Sequence, residues 1–171
     1  LSIMIKLDSK GPVLFKQVRV TTYGRKFKIW KFRTMVNHAD KLGTQVTTKG
    51  DARITRMGHL LRKVRLDELP QLFNVLKGDM TFVGTRPEVP KYVAHYTEEM
   101  MATFLLPAGV TSRTSIEYKD EDSLLENAED ADEVYIKEVL PAKMVYNLRE
   151  IEKFSFMRDI CTMIKTVIAV A

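Results

Sequence analysis

The chain has 171 residues, 45% of them apolar, which suffices to bury one core and leaves no room for a second independent domain. One cysteine, Cys161, and three scattered histidines, His38, His59 and His95, exclude an internal disulfide and any Cys/His zinc spacing. Net charge is +5, but residues 1–91 carry 19 basic and 7 acidic side chains and residues 92–171 carry 8 and 15, so the halves stand at +12 and −7. The first half therefore attracts an anion, whether nucleic acid, an anionic lipid surface or a phosphorylated small molecule.

Leu1 to Leu7 is apolar but falls well short of the roughly 20 residues that span a bilayer, and reads as the end of an apolar segment. No charged start, apolar stretch and small-residue cleavage site occur in signal-peptide order. Residues 13–20 and 26–33 are rich in β-branched and aromatic side chains and flank a Thr22-Tyr23-Gly24-Arg25 turn, which predicts a β-hairpin. In its second arm Phe27, Ile29 and Met35 alternate against Lys26 and Lys28, while Trp30 and Phe32 break the alternation and imply a partly two-sided strand. Residues 37–52, polar and holding Gly43 and Gly50, read as a loop.

From Arg53 the period becomes helical, with Ile54, Met57, Leu60, Leu61 and Val64 on one face. A second helix is expected from near Asp67, with Pro70 in its first turn, a stop at Lys77-Gly78 and a core face of Leu69, Leu72, Phe73 and Leu76. A third is expected from about Glu88 to Leu105, broken by Pro107-Ala108-Gly109. Residues 117–133 hold nine acidic side chains against one lysine and read as a solvated loop or short helix. A helix over 133–149 follows, which Pro141 should bend or interrupt. The chain ends in an apolar-rich helix with Phe154, Phe156, Met157, Ile160 and Met163 beside Lys153, Arg158 and Lys165. Two placements remain open for it, a membrane interface or the core.

The chemistry concentrates in Leu66-Asp67-Glu68-Leu69-Pro70-Gln71, where two adjacent carboxylates follow a helix bearing Arg62 and Arg65. Consecutive helical residues point about 100° apart, so Asp67 and Glu68 suit different tasks, one attacking and the other holding a metal. The structural alternative is that Asp67 caps the helix. That reading is weakened because Pro70, the third residue on, has no N–H to donate. A helix N-terminus also favours the ionised carboxylate that a nucleophile requires. Basic residues surround the pair in sequence: Lys31 and Arg33 about Phe32, Arg62, and Arg86 in Gly84-Thr85-Arg86-Pro87. Guanidinium groups grip phosphate oxygens in pairs, although any one of these cations alone reads equally as part of a solvated basic face.

Five ordered segments carry a resemblance: 11–19, 27–35, 51–58, 66–78 and 83–87. Together they make the chain similar to the bacterial sugar transferase family of monotopic phosphoglycosyl transferases, over nearly its whole length. Thr85 stands where the family usually has proline, and 109–118 lacks the family's more common glycine-rich form. The resemblance implies one catalytic domain over residues 1–171 without its upstream re-entrant membrane helix. Its fold would be α+β and mainly helical, an N-terminal hairpin packed on helices of which some lie at a membrane interface.

It further implies transfer of a sugar 1-phosphate from a nucleotide diphosphate sugar, a UDP-sugar, to polyprenyl (undecaprenyl) phosphate. Asp67 would be the nucleophile, forming an aspartyl phosphosugar, Glu68 would hold Mg2+, and Lys31, Arg33, Arg62 and Arg86 would bind phosphates. The expected location is the cytoplasmic face of the bacterial inner membrane. The competing reading is a basic module that binds nucleic acid or an anionic surface, using Tyr23, Trp30 and Phe32 as stacking aromatics. It is disfavoured because two adjacent carboxylates beside the cations repel a polyanion.

Overall fold

The computed structural model describes residues 1–170 apart from 40, 41, 43–45, 49, 119, 120, 126, 127 and 129. Parts of the expected loop over 37–52 and of the acidic segment over 117–133 lie outside the described residues. The chain is a mainly helical α+β domain, as expected. It opens with α1 (Ser2–Asp8), and the hairpin follows as β1 (Leu14–Val20) and β2 (Lys26–Phe32), antiparallel with Leu14 opposite Phe32 and Val20 opposite Lys26. At its tip Tyr23 and Gly24 both take positive φ, 55° and 72°. The tight reversal falls on the residues that the glycine signalled.

Phe27 and Ile29 point inward from β2 onto Met80, with Val75 and Val110 packed against them. Trp30 is half-buried, and its ring is flanked by Phe73 at 5.7 Å between centroids, Lys16 at 4.2 Å and Lys77 at 5.0 Å. This strand is two-sided, as its sequence implied.

Helix α2 (Arg56–Lys63) starts three residues later than the period suggests, because Thr55 caps it: its Oγ1 accepts from the Gly58 N–H at 3.0 Å. Gly58 is required there by close approach, since a Cβ would lie 2.0 Å from the Thr34 carbonyl oxygen. Its buried side is Gly58 and Leu61, whereas Leu60 and Val64 are exposed.

The segment expected to be one helix from Asp67 is a single 3-10 turn, Leu66–Glu68, followed by α3 (Gln71–Leu76). Its expected core face is reversed. Leu69, Leu72, Phe73 and Leu76 are 44–83% exposed, while Gln71 and Asn74 are 1% exposed. Asn74 explains the inversion: its Oδ1 accepts from the Trp30 N–H at 3.0 Å and its Nδ2 donates to the Lys28 carbonyl at 2.9 Å, so β2 is bound by an amide rather than by leucines.

The expected helix from Glu88 to Leu105 is three pieces instead: α4 (Pro90–Val93), α5 (Glu98–Met101) and a 3-10 turn over Ala102–Leu105. The chain breaks at Ala94 to Thr97, where the Thr97 Oγ1 accepts from the Met100 N–H and starts a fresh helix. A second sheet was not foreseen: β3 (Thr81–Val83) runs parallel to β4 (Gly109–Thr111). Gly84 and Gly109 cross with backbones in contact, a Cβ on Gly109 falling 2.1 Å from the Gly84 nitrogen.

Beyond β4 come α6 (Arg113–Glu117), α7 (Glu121–Leu124) and α8 (Ala131–Val134). A π turn over Tyr135–Val139 then leads into α9 (Leu140–Glu152). Pro141 does not break the run, which stays helical from Ala131 to Glu152; the π turn just before it is where the ladder adjusts to the missing N–H. Val89, Tyr92, Tyr135, Val139, Leu140 and Met144 form the main core.

Helix α10 (Phe156–Val170) seats its hydroxyl side on the small sheet, Thr166 Oγ1 meeting Thr111 Oγ1 at 2.7 Å, and turns Phe156, Met157, Ile164, Val167 and Ile168 outward. Of the stripe singled out in the sequence, Phe154, Phe156 and Met157 are exposed, while Ile160 and Met163 are half-buried. No helix among the described residues is long and apolar enough to cross a membrane.

Candidate active site

Arg65 ends α2 by entering the left-handed region at φ 54°, which swings the chain into the Leu66–Glu68 turn. The turn lies against β2, to which Asn74 anchors the following helix. Asp67 is thereby held inward at 7% exposure. It caps neither the turn nor α3, since neither start has a side-chain cap, so the capping explanation does not hold.

Glu68 faces the cations. Its Oε1 accepts from Lys31 Nζ at 3.0 Å and from Arg86 Nη2, and its Oε2 accepts from Arg86 Nη1 at 3.2 Å. The Arg86 contact is a two-pronged fork on one carboxylate, the geometry a guanidinium offers equally to phosphate. Lys31 comes from β2 and Arg86 from the loop after β3, so three separate stretches of chain meet on Glu68. Arg62 reaches in from α2, its Nε donating to Thr34 Oγ1 at 3.0 Å.

Arg33 stands apart. It is 5% exposed, and its guanidinium donates to the Pro12, Ser9 and Ile5 carbonyls, closing the C-terminal end of α1. A lysine–aromatic–arginine triplet on a strand cannot reveal this division, because residues 31 and 33 share a nominal face and only α1 distinguishes them.

The electrostatics separate the two acids. Burial pushes the Asp67 carboxyl above its ordinary range, and Lys31, Arg62 and Arg86 only partly oppose this, with Glu68 adding to the rise. Burial also acts upward on Glu68, but there Arg86 and Lys31 prevail and hold it well below the usual carboxylate range. Burial draws the Lys31 ammonium down, and Glu68 restores it only in part. The two neighbouring carboxyls are thus pushed in opposite directions, Asp67 away from its ionised form and Glu68 toward it.

Magnesium usually keeps several waters and takes one or two carboxylates together with substrate phosphates. Glu68 would enter that shared mode by releasing Lys31 and Arg86, which hold both of its oxygens. No group of three His, Cys, Asp or Glu side chains gathers among the described residues, so the Asp67–Glu68 pair does not form a protein-only cage.

Two buried polar residues escaped the sequence reading. Gln71, one helical turn beyond Asp67, has no hydrogen-bond partner for either side-chain atom. Glu88 lies beneath Arg86 in a buried ionic cluster. Both resemble ordinary surface residues in sequence, since neither sits in an apolar period that would predict its burial.

One desolvated and one cation-bound carboxylate thus share a turn that is enclosed by side chains from a hairpin, a helix and a loop. The chain belongs to the bacterial sugar transferase family, whose profile matches residues 1–171. It is 37% identical over 169 residues to the UDP-N-acetylgalactosamine-undecaprenyl-phosphate N-acetylgalactosaminephosphotransferase of Aeromonas hydrophila, covering 97% of this chain and 37% of that protein. It is 39% identical over 146 residues to the UDP-glucose:undecaprenyl-phosphate glucose-1-phosphate transferase of Escherichia coli K12, covering 81% of this chain and 31% of that protein. An enzyme of the same name from Xanthomonas campestris pv. campestris is 48% identical over 97 residues, 56% of this chain and 20% of that protein. The chain thus spans about a third of the length of the Aeromonas and Escherichia relatives.

Proposed function

We propose that the chain is a phosphoglycosyl transferase that moves a sugar 1-phosphate from a UDP-sugar to undecaprenyl phosphate through a covalent aspartyl intermediate. The observation that carries this reading is the division of labour at one turn, Asp67 desolvated and poorly stabilised as an anion, Glu68 clamped by Lys31 and Arg86. An Asp67 carboxylate oxygen attacks the sugar-proximal phosphorus, the bond to the bridging oxygen breaks, and UMP leaves. An oxygen of the polyprenyl phosphate then attacks the same phosphorus, frees Asp67 and takes the phosphosugar.

An anionic nucleophile meets an anionic diphosphate only where cations cancel the repulsion, and Lys31, Arg62 and Arg86 supply that field. In the free protein Glu68 occupies the prongs that a diphosphate would use, so it serves as a resident anion that substrate displaces. Glu68 would be the residue to hold magnesium, which when bound would supply further charge neutralisation. Arg33 takes no part in phosphate binding in this reading, because it is committed to α1.

The outward apolar rows of α3 and α10 support work at a membrane surface, where a lipid-borne acceptor is met. We place that surface at the cytoplasmic face of the bacterial inner membrane, where the nucleotide sugar is available. Of the stacking groups that the nucleic-acid alternative would use, Trp30 is already flanked by Phe73 and two lysines, which leaves Tyr23 at the hairpin tip as the exposed ring.

The test is retention of label. The protein is incubated with magnesium and UDP-sugars radiolabelled in the sugar, UDP-glucose and UDP-N-acetylgalactosamine among them, then denatured and freed of small molecules. Label is expected on Asp67 and absent in Asp67→Asn. An unlabelled wild type across the panel sinks the covalent mechanism.

A further inference from the structure

Behind Arg86 lies a buried ionic cluster that the proposed reaction does not use. Glu88, 6% exposed, accepts from Tyr135 Oη at 2.6 Å, with Lys143 Nζ at 3.5 Å on the same oxygen and Arg19 Nη1 at 3.7 Å from the other. Lys143 Nζ also donates to Tyr135 Oη at 3.0 Å. These partners come from β1, the π turn and α9, regions far apart in the chain. The backbone is fastened at the same place, since the Glu88 carbonyl accepts from the Val20 N–H at 3.0 Å and the Pro87 carbonyl accepts from Arg19 Nη1 at 3.0 Å. At the other end of the loop, the Gly84 N–H donates to Thr111 and the Thr85 carbonyl accepts from Gly109, both at 3.0 Å. Arg86 is the residue held between these two anchors.

From this geometry we propose that Glu88 is a positioning residue for Arg86, fixing the loop so that the guanidinium fork meets the substrate diphosphate. The proposal rests on the phosphate-binding reading of Arg86. A buried ion cluster is rarely a source of net stability, because desolvation offsets most of the attraction and an apolar replacement often serves as well. What such a cluster supplies is directional placement. Glu88 takes cations from β1 and α9 at once, so its side chain sets where the loop sits relative to both halves. Placement matters at this site because a fork that binds two oxygens loses most of its advantage when displaced by about an ångström.

The experiment is a double-mutant cycle on UDP affinity, measured by calorimetry with magnesium present, in wild type, Arg86→Ala, Glu88→Gln and the double variant. Tyr135→Phe, which removes the donor to Glu88 together with an acceptor of Lys143, is run alongside, and circular dichroism confirms that each variant is folded. Glu88→Gln is expected to weaken UDP about tenfold in the wild-type background and to change little once Arg86 is alanine, with Tyr135→Phe showing a smaller effect of the same pattern. Equal losses in both backgrounds would overturn the proposal and leave the role of Arg86 intact. If Arg86→Ala alone leaves UDP affinity unchanged, the proposal falls together with that role. Should Glu88→Gln not fold, the Tyr135→Phe and Arg86→Ala pair completes the cycle, and additivity there overturns the proposal equally.

Discussion

At Asp67 and Glu68, two neighbours in one turn respond to acid in opposite ways. Asp67 has a folded-state pKa above its ordinary 3.8, so its ionisation disfavours the fold: the stability tied to its protonated form is complete below the unfolded value and is lost as pH rises through the folded one. Asp67→Asn should therefore melt higher than wild type near neutral pH, with the gain vanishing below about pH 4, read by thermal denaturation across pH. Glu68 has its pKa depressed below 4.5, so it stabilises the fold above that value and the contribution disappears as pH falls through its folded pKa.

Formation of the covalent adduct needs ionised Asp67, so its rate should rise through a pH higher than for an unperturbed aspartate. Lys31→Met, which removes an attraction holding that pKa down, should move the rise to higher pH. A rise that stays in place in this variant would show that Asp67 does not govern it. The carboxylate pair was legible in sequence because two adjacent acids before a helix are odd. Its environment was not, since the guanidinium and ammonium that grip Glu68 lie 18 and 37 residues away.

Helix α3 carries the lesson about elements. Six residues are too few for an apolar period to identify the buried side when a single amide can bind a strand edge more specifically. Asn74→Ala should cost about 1–3 kcal/mol, because the Trp30 N–H and Lys28 carbonyl lose their partner. Leu76→Ser, at 83% exposure, should stay within about 0.5 kcal/mol, and denaturant titration separates the two. A larger loss for Leu76→Ser would restore the leucine face to the core.

The hairpin, in contrast, was read to within a residue or so, because alternation, aromatic content and a turn glycine agree. The second sheet was hidden because three-residue strands carry no period, and Thr81 and Gly109 find each other only through the glycine crossing.

Across the molecule, the +12 half supplies the hairpin, α2 and the Arg86 loop, while the −7 half supplies most of the main core and the acidic surface. Charge asymmetry was plain in composition, but where the halves join was not. They join through the β3–β4 pairing and at Glu88, the first half's carboxylate, taken by Lys143 of the second. Because the cations of the site belong to a surplus spread over half the chain, UDP should associate more slowly as salt rises from about 50 to 300 mM, where the Debye length shrinks below ~10 Å. Unfolding midpoints should change far less, since the ion pairs at the site and at Glu88 are largely buried. Rapid-mixing kinetics and melts over that range check both.

Trp30 is the sole indole in the chain, adjacent in sequence to Lys31 and set between two ammonium groups and the Phe73 ring. Indole emission shifts in colour and yield when nearby charge is rearranged, so its fluorescence would report any movement of α3, which carries Phe73 and ends at Lys77, against the hairpin. Ultraviolet excitation would follow such movement in real time, without dyes, tags or radioactivity.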